Sequence, residues 1–251
     1  GNSFPVGGYT TDLAANVSGL NPSTTYNYRI VARDAAANSY TSGTYTATTS
    51  AQVLDAVSTS DDFNFSPLDA TLWTTTNPRG DATISVASNQ LSIAVPGGIT
   101  HDLWTDGNNV PRIMQPVSNN DFQVIAKFNS GVPANASSYS IQGILAEADA
   151  NNVIRFDFSN DGGNTRLLAI VFSNGLASPT VALDATVGAA SAAPLYMRLS
   201  RAGAQWLVDY SLNGTSWTSA GFFYHFMNVS KVGLFAGNTG ASPAAFTMLV
   251  D

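Results

Sequence analysis

The stretch "YSIQGILAEADANNVIRFDF", residues 139–158, decides how the rest of the chain is read. Two runs rich in β-branched and aromatic residues flank Asp149-Ala150-Asn151-Asn152, a cluster of turn formers. That pattern predicts an antiparallel hairpin. With Asp149–Asn152 as the turn, Ala148 faces Val153, Ala146 meets Arg155 and Ile144 meets Asp157. Period-two alternation then sets Ile141, Gly143 and Leu145 with Ile154, Phe156 and Phe158 on one apolar face. Gln142 falls on the other face with Arg155 and Asp157. Amide, guanidinium and carboxylate groups match sugar hydroxyls, which both donate and accept, so this face suits the floor of a sugar-binding groove. The plainer reading is a solvated sheet face with an Arg–Asp ion pair worth little.

The same texture continues on both sides. No stretch has the periodicity of an amphipathic helix, whereas short alternating runs divided by Gly, Asn, Pro and Ser recur. "ATISVASNQLSIAVP" (82–96) reads as a hairpin turning at Asn89–Gln90. "DFQVIAKF" (121–128) puts Phe122, Val124, Ala126 and Phe128 on one face. "QWLVDYSLNGTSW" (205–217) does the same with Trp206, Val208, Tyr210 and Leu212, and Asn213–Gly214 supplies a positive-φ turn. "KVGLFAGN" and "AAFTMLV" follow as further strands. About a dozen strands without helices predict an all-β chain of two packed sheets rather than a small barrel.

Composition narrows the function classes. The chain has 251 residues, 44% hydrophobic, enough for a sizeable core. Net charge is −7, only 11% of residues are charged, and lysine occurs only at Lys127 and Lys231. No basic patch can form, which excludes nucleic acid and anionic membrane surfaces as partners. No apolar run reaches the ~18 residues of a membrane span. Absence of Cys removes disulfides, thiolate catalysis and Cys-based zinc sites.

A Thr/Ser/Ala-rich stretch, "TATTSAQVLDAVSTS" (46–60), separates two regions of different texture and reads as a linker. The expected organisation is a first module over 1–49, a linker over 50–60 and a larger module over 61–251. In "LNPSTTYNYRIVARDAAANSYTSGTYTATTS", Leu20, Pro22 and Tyr26 sit where a loop enters a strand. Tyr28, Ile30 and Ala32 then alternate with Arg29, Val31 and Arg33. This resembles the tyrosine corner and last strands of a fibronectin type III domain, of which only the C-terminal half is present.

In the larger region, "DDFNFSPLDATLW", "THDLW", "YMRLSRAGAQWLVDYSLNGTSW" and "VGLFAGN", with the hairpin above, resemble concanavalin A-like lectin/glucanase sandwich domains, and most closely domain of unknown function 1349. The resemblance implies a jelly-roll sandwich in a secreted or cell-surface, multi-modular, sugar-active protein. It does not fix an activity, because this fold carries lectins, binding modules and glycosidases alike.

Glycoside hydrolysis needs two carboxyl groups flanking the scissile bond. The glucanases of this fold carry Glu-x-Asp-x-(x)-Glu on one strand. The nearest match, Glu147-Ala148-Asp149, lacks the second glutamate, and Glu147 is the sole Glu of the chain. Catalysis by His101 or His225 is not expected either, since neither sits in a nucleophile motif; "FFYHFMN" around His225 reads as an aromatic core cluster. In "GITHDLWTDGNNVPRIMQ" (98–115), a strand over "ITHDLW" puts Asp102 and Trp104 on one face and His101 on the other. Trp104 is the candidate stacking platform, with Asp102, Arg112 and Gln115 beside it to fix hydroxyls.

The expected function is therefore non-catalytic polysaccharide binding through Asp102, Trp104, Arg112, Gln115, Gln142, Arg155 and Asp157. The rivals are a glycosidase or lyase using Asp residues of the same groove, and a structural or adhesive module. The adhesive reading expects Trp104 buried and the Gln142/Arg155/Asp157 face covered. No cofactor is expected, apart from room for a structural calcium at Asp61, Asp62 and Asp251, whose hard oxygens suit Ca²⁺. Expected partners are a glycan and other modules of the same chain.

Overall fold

The computed structural model describes residues 24–34, 36–49, 59–104, 107–173 and 179–251. The chain divides into two compact units, residues 1–53 and 54–251. In the first, β1 (Thr25–Tyr28) pairs with β4 (Tyr45–Thr48), and β2 (Val31–Arg33) pairs with β3 (Ser39–Thr41). The single strand expected through Arg33 is broken at Arg29–Ile30 into β1 and β2. Asp34 builds the turn, accepting from the amides of Ala36 and Asn38 at 3.0 and 2.9 Å. Tyr26 lies in β1, while Leu20 and Pro22 of the expected tyrosine corner lie outside the described residues.

The second unit contains only strands among its described residues, in two antiparallel seven-stranded sheets. The first sheet runs in the order β13 (Thr180–Ala189), β12 (Asn164–Phe172), β11 (Asn152–Asn160), β10 (Tyr139–Asp149), β17 (Lys231–Thr239), β8 (Arg112–Pro116), β5 (Thr74–Thr76). The second runs β16 (Thr218–Tyr224), β15 (Gln205–Ser211), β14 (Leu195–Ala202), β9 (Phe122–Phe128), β18 (Phe246–Val250), β7 (Gln90–Val95), β6 (Thr83–Ala87). The all-β two-sheet sandwich is as the sequence implies.

Alternation sets the main core between the sheets. Phe122, Ala126 and Phe128 point inward from β9 while Gln123 and Ile125 point out. Trp206 is wholly buried, tilted against Phe156 at 5.5 Å and edge-on to Phe122 at 5.8 Å. Its Nε1 donates to the His225 carbonyl at 3.0 Å, so the polar end of the indole is satisfied. Each such fully buried apolar side chain contributes about 1.5–3 kcal/mol.

Two turn expectations are corrected. The β6–β7 hairpin turns at Ser88–Asn89, one residue earlier than expected, because Ala87 pairs with Gln90 and both turn residues take positive φ, 52° and 55°. Leu212 leaves the inward row of β15 and is half exposed, because the strand ends at Ser211. Gly214 does take the expected positive φ, 74°.

Candidate functional site

The β10–β11 hairpin forms, but its register differs by one residue from the expected one. Leu145 pairs with Arg155, Ile144 with Phe156 and Gly143 with Asp157. The cause is a bulge: Glu147 pairs with Val153 and Asp149 with Asn152, leaving Ala148 as the extra residue. A one-residue slip moves every side chain to the other face. Ile144, Ala146, Ile154, Phe156 and Phe158 therefore enter the core between the sheets. Ile141, Gly143 and Leu145 share the outer face with Arg155 and Asp157.

That outer face is covered. The connection from β7 to β8 inserts Leu103 and Val110, both fully buried, against Met114, Ile141, Leu145, Val153, Ile170 and Phe235 in a second apolar cluster. It also inserts Asp102. Arg155 then sits between two carboxylates: its Nε donates to Asp157 Oδ1 at 2.7 Å, and a terminal nitrogen donates to Asp102 Oδ1. All three side chains are at most 4% exposed. Burial pulls the Arg155 guanidinium down, but Asp157 and Asp102 outweigh it and hold its pKa above the ordinary arginine value. Burial pushes Asp157 up from the ordinary carboxylate value, and Arg155 only partly reverses that.

Arg112 lies on the same face, its Nε 2.9 Å from Glu147 Oε1. This is an ion-pair contact whose angles give neither atom a hydrogen bond. Burial lowers the Arg112 pKa, with Glu147 opposing. The sequence dismissed Glu147 for want of a second glutamate, yet it is the counter-ion that allows Arg112 to be buried.

Two expected groove residues are elsewhere. Gln142 points into the core side of β10, its Nε2 donating to the Ser130 carbonyl at 2.7 Å and its Oε1 accepting from the Ser130 hydroxyl at 2.6 Å. Gln115 pairs with the backbone of Thr59, accepting from its amide and donating to its carbonyl, both at 3.1 Å. Both are buried amides with filled hydrogen-bonding roles.

Trp104 is 41% exposed although Asp102 and Leu103 before it are buried. The face is thus covered as the adhesive reading expects, while the tryptophan is open, against it. "ITHDLW" forms no strand; only His101 bridges to Asn238. His101 is buried with Nε2 2.9 Å from Asp81 Oδ1 and Nδ1 3.1 Å from Asn238 Oδ1, a structural tie. Asp149 caps the hairpin turn through the Asn151 amide at 2.8 Å, as its position implies.

The expected calcium carboxylates are engaged by protein donors. Asp61 accepts from the Phe63 amide and from Trp73 Nε1, each at 2.8 Å, and Asp251 pairs with Lys127. Among the described residues no three His, Asp or Glu side chains converge where a metal could sit. Asp61, Trp73 and Asp251 instead line a cavity of about 430 Å³ beside β9.

One feature escaped the sequence. Phe222, Tyr224 and Phe226 stand 58%, 65% and 74% exposed, whereas "FFYHFMN" had been expected as core. Only Phe223, His225 and Met227 turn inward, so strict alternation was the signal that could have found the row.

No protein-family model matches the sequence, nor does any curated protein. Solved structures do match in fold. The GH43 protein BlXynB from Bacillus licheniformis is 14% identical with a TM-score of 0.56, over 88% of this chain and 44% of that chain. The present chain thus spans less than half the length of BlXynB. A functionally unknown protein from Saccharomyces cerevisiae is 12% identical, TM-score 0.53, over 72% and 92% of the two chains. The CBM2 module of the evolved Dit of Lactobacillus casei BL23 phage J-1 is 9% identical, TM-score 0.50, over 75% and 90%. At these identities the likeness is one of fold: the chain shares the β-sandwich found in glycoside hydrolase and carbohydrate-binding module structures.

Proposed function

We propose that the larger unit is a non-catalytic glycan-binding module of a secreted or cell-surface protein, with the residue 24–49 hairpins belonging to a fibronectin-like spacer. The observation that carries the reading is the mounting of Trp104. Asp102 is held by Arg155 and Leu103 is fully buried, so the next residue stands on the rim with its indole open to solvent. A tryptophan whose preceding backbone is already anchored gives up less freedom when a pyranose stacks on it. The β-sandwich shared with BlXynB and the CBM2 module supports the same class.

Hydrolysis is less favoured. A glycosidase needs one carboxyl able to give a proton and a second free to attack or to activate water. On this face Asp102 and Asp157 both engage Arg155, and Glu147 lies against Arg112. A second reading, a structural module without a glycan site, is favoured by the covering of the face by Leu103 and Val110.

A glycan array with the full chain separates the two. Binding that is lost in folded Trp104→Ala supports the glycan module. Silence from folded wild-type protein assigns the structural role, and binding indifferent to Trp104 overturns Trp104 as the platform and places the glycan elsewhere.

A further inference from the structure

The outer strand β16 presents two unmet demands at once. It forms one margin of its sheet and pairs only with β15, so its other backbone edge has no ladder partner among the described residues. Its outward side chains are the exposed Phe222 and Tyr224, continued by Phe226. Exposed apolar edge strands are templates for pairing unless charge, proline or a bulge guards them. Thr218–Tyr224 reads Thr-Ser-Ala-Gly-Phe-Phe-Tyr, with no proline and no residue charged at neutral pH. A bulge opposite Val208–Asp209 bends only its first half.

The ring geometry decides between ligands. Phe222 and Tyr224 meet edge-on, 5.9 Å apart at 85° between planes. They do not form the flat row that successive sugar rings would cover. Interdigitation with other side chains suits them better.

Symmetry then identifies the partner. In an antiparallel pair about a twofold axis, each residue meets one from the same strand, so a charge near the axis would be brought close to its own copy. The molecule carries a net charge of −7, yet this strand carries none. By contrast β13, the margin of the other sheet, carries Asp184, paired with Arg166. The uncharged β6, at the far margin, has no large exposed side chain.

We propose that β16 is a self-association edge. Two copies of the chain pair antiparallel through its second half, with the axis near Phe223 and Phe222 opposite the partner's Tyr224. Two seven-stranded sheets thereby become one continuous sheet.

Sedimentation velocity on the full chain across a wide concentration range tests this, combined with amide exchange and with the double variant Phe222→Lys/Tyr224→Lys. Both side chains are exposed, so the variant should keep the wild-type circular dichroism, and its melting curve should match wild type at concentrations where the wild type is itself monomeric. The expected result is a wild-type dimer whose β16 amides gain protection with concentration, and a monomeric variant. The proposal is overturned by a wild-type protein that stays monomeric, or by a dimer that survives both lysines. It is equally overturned by a monomer whose glycan retention is lost in the variant, which would assign the edge to a glycan.

Discussion

Arg155 and Asp157 lie two residues apart on β11, on one face, joined by a 2.7 Å hydrogen bond in a space from which solvent is excluded. Neither charge would be tolerated there alone. Asp102, brought in by the covering segment, makes Arg155 the single cation between two carboxylates.

Removing that cation leaves two buried carboxylates without a counter-charge. Arg155→Met is therefore expected to lose about 3–5 kcal/mol, the usual cost of breaking a buried pair from one side. Urea unfolding at neutral pH reads this directly. A loss within the range of surface substitutions would mean that water reaches the triad.

Asp157 gives a pH dependence of defined sign. Its folded pKa is raised, first by burial, so the folded state binds the proton more tightly than the unfolded chain. Its contribution to stability is greatest at low pH and declines as pH rises from the unfolded value through the folded one. Asp157→Asn should gain on wild type as pH rises above the ordinary carboxylate value of about 4. The exposed turn acids Asp34, Asp69, Asp149 and Asp161 act in the opposite sense. Their pKa values are lowered, chiefly by hydrogen bonds from nearby turn residues, and their contribution is lost on acidification. Denaturation of the two proteins across this range checks the sign; a difference that shrinks with pH would contradict it.

Gly143 lies in β10 directly against the backbone of β11. A Cβ there would lie 1.9 Å from the Phe156 carbonyl oxygen, which only backbone movement can relieve. Gly143→Ala should cost at least the ~1–3 kcal/mol of ordinary overpacking. Gly163→Ala, with nothing within 4 Å of the added carbon, should be near neutral. Paired thermal melts would refute the packing argument if the two variants matched.

The tryptophans should separate stability from binding. Trp206→Ala empties the centre of the core and is expected to cost about 3–5 kcal/mol. Trp104→Ala, at a rim position, should leave the denaturant midpoint close to wild type while removing glycan retention. A large midpoint shift in Trp104→Ala would identify that indole as packing.

The strands and the two-sheet core were legible because alternation of apolar and polar side chains is a local property. Phe122, Ala126 and Phe128, or Trp206 and Val208, declare their face within a few residues. The grouping of Arg155 with Asp157 was legible for the same reason, since both lie on one strand. The assignment of Gln142 to their face was not. A bulge at Ala148 is one extra residue whose position depends on what the flanking strands must bury, and the tetrapeptide Asp149–Asn152 alone does not report it.

By itself, then, the sequence determined an all-β sandwich, because side-chain period, turn residues and the scarcity of charge act at short range. It also carried Arg155 and Asp157 as neighbours on one face of one strand. Only the tertiary structure decided that Asp102 would meet Arg155 across 53 positions, that Glu147 would serve Arg112, and that Phe222 and Tyr224 would be left on an open edge. Those outcomes depend on which segment covers which face and which strand stands last in its sheet. Such choices are set by the competition of the whole chain for a limited buried interior, and no local pattern records them.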